Sequence, residues 1–334
     1  MKVFITGVAG FMGSHLADRL IKNGDYVVGV DNLVGGDIEN VNPKVEFYNE
    51  DCDNLEKMVE YMKGCDVVFH AACTAHDGFS LFSPYYITKN TFQITMSVLS
   101  AAIQNKVTKF IYCSSMSRYG EQEILPFTED MICKPRVPYG TAKYAAELVV
   151  EQICTLNEVY FNIIVPHNII GPRQCANDPF RNVAAIMINR MLQGKQPVIY
   201  GDGEQKRCFS DIEDVVFCIE QLIYRSDLNG EIFNIGPDEE FVTINTLART
   251  IANALDFELH PIYVPQRPNE VKYATCSSDK ARKLLGYSTK VTLEEGIRRM
   301  VEERVTKGPV DFDYHYDIEI INDKTPKTWV NRLI

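Results

Sequence analysis

The sequence predicts an α/β fold: a doubly wound parallel sheet with a smaller C-terminal α/β lobe. Three observations point to it. Short, continuous Val/Ile/Phe runs alternate with helical patterns through the first half of the chain, as strands buried on both faces of a parallel sheet do. A glycine-rich turn, Gly7-Val8-Ala9-Gly10-Phe11-Met12-Gly13, joins the first such run to the first helical segment. The length, 334 residues, suits one sheet-centred unit of about 100–200 residues with a second lobe attached.

The elements follow in order. Val3–Thr6 is an apolar strand, and residues 11–22 carry Leu16, Leu20 and Ile21 at helical spacing before a second strand at 26–30. Strands are expected at 45–48, 67–70, 110–113 and 161–165, with helices at 55–62, 85–104 and 139–155 between them. Beyond about residue 170, Gly171-Pro172, Gly201-Asp202-Gly203 and Gly236-Pro237 punctuate shorter pieces, and helical patterns recur at 182–193, 212–224, 243–255 and 293–305. The expected division is a cofactor domain over 1–165, a mainly substrate-binding lobe over 166–305 and a tail over 306–334. That tail mixes aromatics and charges without a clear period, and no role is read from it.

Composition narrows the function. Thirty-four basic against forty-five acidic side chains give a net charge of −11, so a general basic surface for nucleic acid is not expected. No apolar run approaches the roughly 18 residues of a membrane helix, and Met1–Ile5 enters a strand with no leader pattern, so a cytoplasmic protein is expected. The ten cysteines are scattered singly, with no Cys-x-x-Cys pair. They read as free thiols in the core, and no metal is expected.

The glycine turn has a physical purpose. A tight turn, a backbone approached closely by a pyrophosphate, and a helix packed hard on its strand all demand the absence of Cβ. The helix N-terminus behind it offers free N–H groups to phosphate. Asp31, ending the second strand, is placed to accept from both ribose hydroxyls of an adenosine and to repel a 2′-phosphate, which favours NAD over NADP. Asp51, after the third strand, is placed near the adenine edge. Tyr139 and Lys143, four residues apart, share one face of a helix, where the ammonium would stabilise a phenolate able to take a proton from a sugar hydroxyl. Ser115, just past a strand end, would hold the same hydroxyl.

Together with Asp66-Val67-Val68-Phe69-His70-Ala71-Ala72, Ser114-Ser115-Met116-Ser117-Arg118-Tyr119-Gly120, Pro138-Tyr139-Gly140-Thr141-Ala142-Lys143, Asn168-Ile169-Ile170-Gly171-Pro172-Arg173 and Gly201-Asp202-Gly203-Glu204-Gln205-Lys206-Arg207, these motifs resemble the extended short-chain dehydrogenase/reductase family. Within it the chain is similar to the nucleotide-sugar epimerases of the UDP-glucose 4-epimerase kind. The resemblance covers about residues 1–305 and implies a Rossmann-type fold with tightly bound NAD. It implies Ser115, Tyr139 and Lys143 as the catalytic triad. Gly7, Gly10, Phe11, Met12, Gly13, Asp31, Asn32, Asp51, Cys52, Ala71, Ala72, Asn90 and His167, with Tyr139 and Lys143, would bind the cofactor. Ser115, Asn168, Arg207, Arg267 and Glu270 would hold a nucleotide-diphosphate sugar, expected to be UDP-linked, the two arginines clamping the diphosphate. A homodimer is implied, with the counterparts of 85–104 and 139–155 forming a four-helix bundle.

The departures from the pattern discriminate among reactions. Relatives that dehydrate carry Asp-Glu after the catalytic Ser or Thr, and decarboxylating relatives carry a glutamate there; this chain has Met116 and Ser117. A 4-epimerase needs only one base, a held cofactor and a roomy pocket, so C4 epimerisation through a 4-keto intermediate is expected. The candidate sugars are glucose/galactose, their N-acetyl forms or a uronic acid. A dehydratase, decarboxylase or 4-keto reductase is the alternative, and a non-catalytic dinucleotide sensor is the alternative from another class. Arg118 is expected either to lie in solvent or to touch a sugar carboxylate. Ala274 is expected near the sugar, where it would leave room for a 2-acetamido group.

Overall fold

The computed structural model describes residues 1–334. Six strands, β1 (Lys2–Thr6), β2 (Tyr26–Asp31), β3 (Glu46–Asn49), β4 (Val67–His70), β5 (Lys109–Cys113) and β6 (Tyr160–Pro166), form an all-parallel sheet in the order 6-5-4-1-2-3. A seventh strand, Ile232–Ile235, extends it in parallel beside β6. The order reverses between β1 and β4. The carboxyl ends of those two strands therefore border the crevice where open α/β sheets bind ligands.

Alternation along each strand builds two cores. On β1, Val3 and Ile5 face α1 (Phe11–Lys22) and the helix Ile212–Tyr224, through Leu16, Leu20, Val215 and Ile219. Phe4 points the other way, into a core shared with Met58 of α2 (Leu55–Tyr61). Two further helices complete that layer after a short α3 (Pro84–Thr88): α4 (Ile94–Gln104), through Val98 and Ala102, and α5 (Pro138–Leu156), through Ala146 and Val150. The single helix expected over 85–104 is broken. Between α3 and α4 the chain makes a π turn over Lys89–Gln93, with Asn90 at ψ 18°. The Asn90 carbonyl leaves the helical ladder to accept from the Thr74 N–H at 3.1 Å, which ties the break to the loop after β4.

A separate core holds the second lobe, where Met187 and Ile188 of Val183–Leu192, Leu247 and Ile251 of Ile244–Leu255, and Ile297 and Met300 of Leu293–Lys307 meet. The chain does not pass to this lobe in one crossing at residue 165. It returns to the sheet with Ile212–Tyr224 and Ile232–Ile235, and again with Ala281 and Leu285 of the helix Asp279–Leu285. The last residues form a fourth cluster, in which Tyr316 and Trp329 pack on Phe79, Phe82, Tyr139 and Phe180. No helix is long and apolar enough to cross a membrane.

Candidate active site

A cavity of about 590 Å³ opens at the carboxyl ends of the strands, running from the glycine turn to the second lobe and the tail. Its first part is a dinucleotide cradle. Gly7 has φ +74°, and a Cβ on Gly13 would lie 2.1 Å from the Gly7 carbonyl oxygen, so a side chain at 13 would prevent α1 from packing against the turn. Gly10 caps α1 without a side-chain acceptor, and the first N–H groups of the helix stay available to an anion. Phe11 and Met12 line the same wall.

Asp31 is 7% exposed; its Oδ2 accepts from the Ala9 N–H at 3.0 Å and its Oδ1 from the Leu33 N–H at 2.8 Å. Burial pushes its carboxyl above the usual range, and those backbone donors act against the shift. Asn32 Nδ2 donates to Asp51 Oδ2 at 3.1 Å, joining the residues expected around the adenosine. Cys52, Ala71, Ala72 and Asn90 line the groove between them. The Ala71 and Ala72 N–H groups both donate to Thr6 Oγ1 at 3.2 Å. The Thr6 proton is then free for His70 Nδ1 at 2.7 Å, and His70 Nε2 donates to Thr95 Oγ1 at 2.9 Å. Burial pushes His70 down to about 3, so the ring is neutral and this chain of bonds holds the groove backbone. These residues fit NAD: a Cβ-free cradle, an uncapped helix N-terminus and the Asp31 carboxylate at the end of β2 line one trough.

Tyr139 and Lys143 lie on α5 and face the middle of the cavity. Lys143 is 1% exposed, donates from Nζ to the Cys113 carbonyl oxygen at 2.7 Å, and lies 6.0 Å from the centre of the Tyr139 ring. Burial pushes the Tyr139 hydroxyl up, while the Lys143 ammonium and the Ser115 hydroxyl pull it down. Ser115 caps a short 3-10 turn, its Oγ accepting from the Ser117 N–H at 3.2 Å.

The far part of the cavity gathers the expected substrate residues. Arg267 Nη2 donates to Glu270 Oε1 at 2.9 Å, and Arg207 Nη2 lies 3.9 Å from the same oxygen. Arg267 also lies over the Tyr200 ring, 4.9 Å from its centre. Asn168 lines the wall and donates to the Cys208 carbonyl at 3.0 Å; Ala274 lines it too. Of the two remaining residues, Arg118 departs from its expectation. His167 borders the cavity, but its Nε2 is bonded to the Ala274 carbonyl at 3.1 Å and its Nδ1 lies 3.5 Å from Cys276 Sγ. Arg118 is neither solvated nor at the sugar: it is 4% exposed and pairs with Glu147 Oε2 at 3.0 Å, behind the active strand.

Several lining residues carry no motif. Asp77 is bonded to the Ser117 hydroxyl, and burial pushes its carboxyl up. His76 Nε2 meets Asp178 Oδ2 at 2.6 Å across 102 positions of sequence. The tail closes this side through His315, Tyr316, Trp329 and Ile334. It is fixed by Glu319, whose carboxylate accepts from the Tyr85 and Tyr86 N–H groups at 2.9 and 2.7 Å, and by Thr328, 2.6 Å from the Tyr200 hydroxyl. A signal for it does exist: Phe312, Tyr314 and Tyr316 alternate with exposed residues, as an extended segment laid on a core does.

Known proteins share this architecture. The chain is 33% identical over 304 residues to a putative UDP-glucose 4-epimerase of Methanocaldococcus jannaschii, covering 90% of this chain and 97% of that one. It is 30% identical to UDP-glucuronic acid decarboxylase 2 of Arabidopsis thaliana, over 91% of this chain and 68% of that one. Among solved structures, the UDP-glucose 4-epimerase of Thermotoga maritima with UDP-glucose superposes with a TM-score of 0.87 at 33% identity, covering 92% of this chain and 99% of that one. The model of the NAD dependent epimerase/dehydratase family matches residues 3–236, a span that contains the whole cradle and the Ser115, Tyr139 and Lys143 group; the chain belongs to that family.

Proposed function

We propose that this protein is a nucleotide-sugar 4-epimerase, acting on a UDP-linked sugar with tightly bound NAD. The observation that carries the reading is a single cavity holding both the Tyr139–Lys143 pair and, at its far end, the Arg207–Arg267–Glu270 group. The two guanidiniums suit a diphosphate, and a sugar anchored there reaches toward Tyr139. Bound NAD supplies hydride acceptance and return. Tyr139 takes the proton of the 4-hydroxyl and gives it back, Ser115 orients that hydroxyl, and Lys143 offsets the charge of the phenolate. Oxidation and reduction cancel, so the chain needs only one proton-transfer group and room for the keto sugar to turn.

Met116 and Ser117 support this over elimination or decarboxylation, since neither can act as an acid at neutral pH. One observation favours a dehydratase as the second reading: Asp77 brings a buried carboxyl to the Ser117 hydroxyl from another loop. Incubating the purified protein with UDP-hexoses, their N-acetyl forms and UDP-uronic acids, and following products by NMR, separates the two. Interconversion at C4 without added NAD is expected; a stable keto or deoxy product overturns the epimerase reading. A homodimer through α3, α4 and α5 is part of the proposal, supported by the exposed Tyr85 and Leu148 on two of those helices. Sedimentation at twice the chain mass is expected.

A further inference from the structure

At the Tyr139 end of the cavity, the chain leaves three polar groups without partners. Arg181 lines the wall and makes neither a hydrogen bond nor an ion pair within the protein. Its nearest carboxylate, Asp178, has both oxygens committed, Oδ2 to His76 at 2.6 Å and Oδ1 to the Phe180 N–H at 2.9 Å. His76 is 2% exposed and its Nδ1 has no partner. Tyr316, contributed by the tail, packs 4.9 Å from the His76 ring and forms no hydrogen bond through its hydroxyl.

These groups are separate from the diphosphate clamp. Arg181 lies near Asp178, Cys175, Cys73 and Tyr316, and Cys73 also lies near Tyr139 and Lys143. Arg207 and Arg267 lie instead in the field of Glu270 and Asp77. A sugar held at the clamp with its C4 at Tyr139 would thus meet Arg181 on its own ring substituents. The planar fork of Arg181, unbonded within the protein, matches a carboxylate. A neutral hydroxymethyl group offers that fork no matching pair of acceptors. Because Asp178 takes the Nε2 side of a neutral His76, Nδ1 is an acceptor and suits a sugar hydroxyl rather than the acid.

We propose that Arg181, assisted by the Tyr316 hydroxyl, receives a carboxylate carried by the sugar, so that the substrates are acidic nucleotide sugars, and that His76 Nδ1 accepts from a neighbouring hydroxyl. The tail is then a wall of the substrate site, although Tyr316 lies beyond residue 236, where the family model ends. The inference rests on the 4-epimerase reading for its orientation. The carboxylate has two chemical sources, C6 of a uronic acid or an acidic ether on C3 as in muramic acid.

The test compares the NAD-loaded protein on UDP-glucuronate, UDP-N-acetylmuramate, UDP-glucose and UDP-N-acetylglucosamine. One of the acidic sugars should show a kcat/KM at least about tenfold above its neutral counterpart, and which one does so identifies the source. Arg181→Met should raise KM for that sugar at least about tenfold, with a smaller change in kcat, and abolish the preference; Tyr316→Phe should weaken it several-fold. These magnitudes follow from losing one charge-assisted contact and one neutral one. Retained NAD and an unchanged circular dichroism spectrum control for folding. A neutral sugar preferred, or equal losses on acidic and neutral sugars in Arg181→Met, overturns the proposal. If no sugar is epimerised, calorimetric binding decides: tighter binding of either acidic sugar than of its neutral counterpart upholds the subsite while the 4-epimerase reading falls, and equal binding overturns the subsite.

Discussion

The Lys143 ammonium is held 2.7 Å from the Cys113 carbonyl oxygen, and this bond fixes the positive charge beside Tyr139. Desolvation raises the phenol, and the lysine ammonium works against that rise. Lys143→Met should lower kcat at least about 100-fold and shift the rise of kcat with pH to more alkaline values, because removing a cation raises the pKa of a neighbouring phenol. Tyr139→Phe should lower kcat by about 100-fold to 10,000-fold while NAD stays bound, as measured by turnover and by cofactor released on denaturation. At the cradle, Gly13→Ala places a methyl 2.1 Å from a backbone oxygen. The backbone must move, so a cost of about 1–3 kcal/mol and loss of bound NAD are expected in denaturant titration and cofactor analysis. The placement of these residues was legible in the sequence because each pattern is local: glycines at a turn, and two side chains one helical turn apart.

Elements show where legibility ends. The main-sheet strands through β6 and the helix 212–224 announce themselves by apolar runs and periodicity. The π turn between α3 and α4 does not, since it arises from a long-range bond between the Asn90 carbonyl and the Thr74 N–H. The strand Ile232–Ile235 carries the polar Asn234 inside its apolar run, and only its partner β6 makes it a strand. The tail is another such case. Its aromatic alternation has no meaning until α3 and Phe79, Phe82 and Phe180 supply the surface it covers. Glu319 fastens it by accepting from two backbone N–H groups at the start of α3. Glu319→Ala should cost about 1 kcal/mol in thermal or denaturant unfolding, the usual loss for an N-terminal acceptor, and should raise the KM of the nucleotide sugar more than it lowers kcat.

Across the whole molecule, two buried imidazoles link stability to pH. His70 and His167 are both pushed from 6.5 down to about 3 by burial. In the folded protein they stay neutral while the unfolded chain takes up protons. Their contribution is complete above pH 6.5 and is lost as the pH falls toward 3, by at most about 1.4 kcal/mol per pH unit for each. Removing one with His167→Asn should flatten the acid limb of the stability curve by about that slope, as read from urea midpoints across this pH range.

By itself the sequence determined the parallel sheet, the glycine cradle and the Tyr139–Lys143 spacing, because strand periodicity, turn geometry and helical register are written within a few residues. Only the tertiary structure decided what surrounds the sugar. It set Arg118 behind the active strand and brought His76 to Asp178 from 102 positions away. It also folded the tail over the cavity and left Arg181 inside without a partner. Those contacts join residues far apart in the chain, and their energies come from burial and desolvation, which exist only once the core has formed.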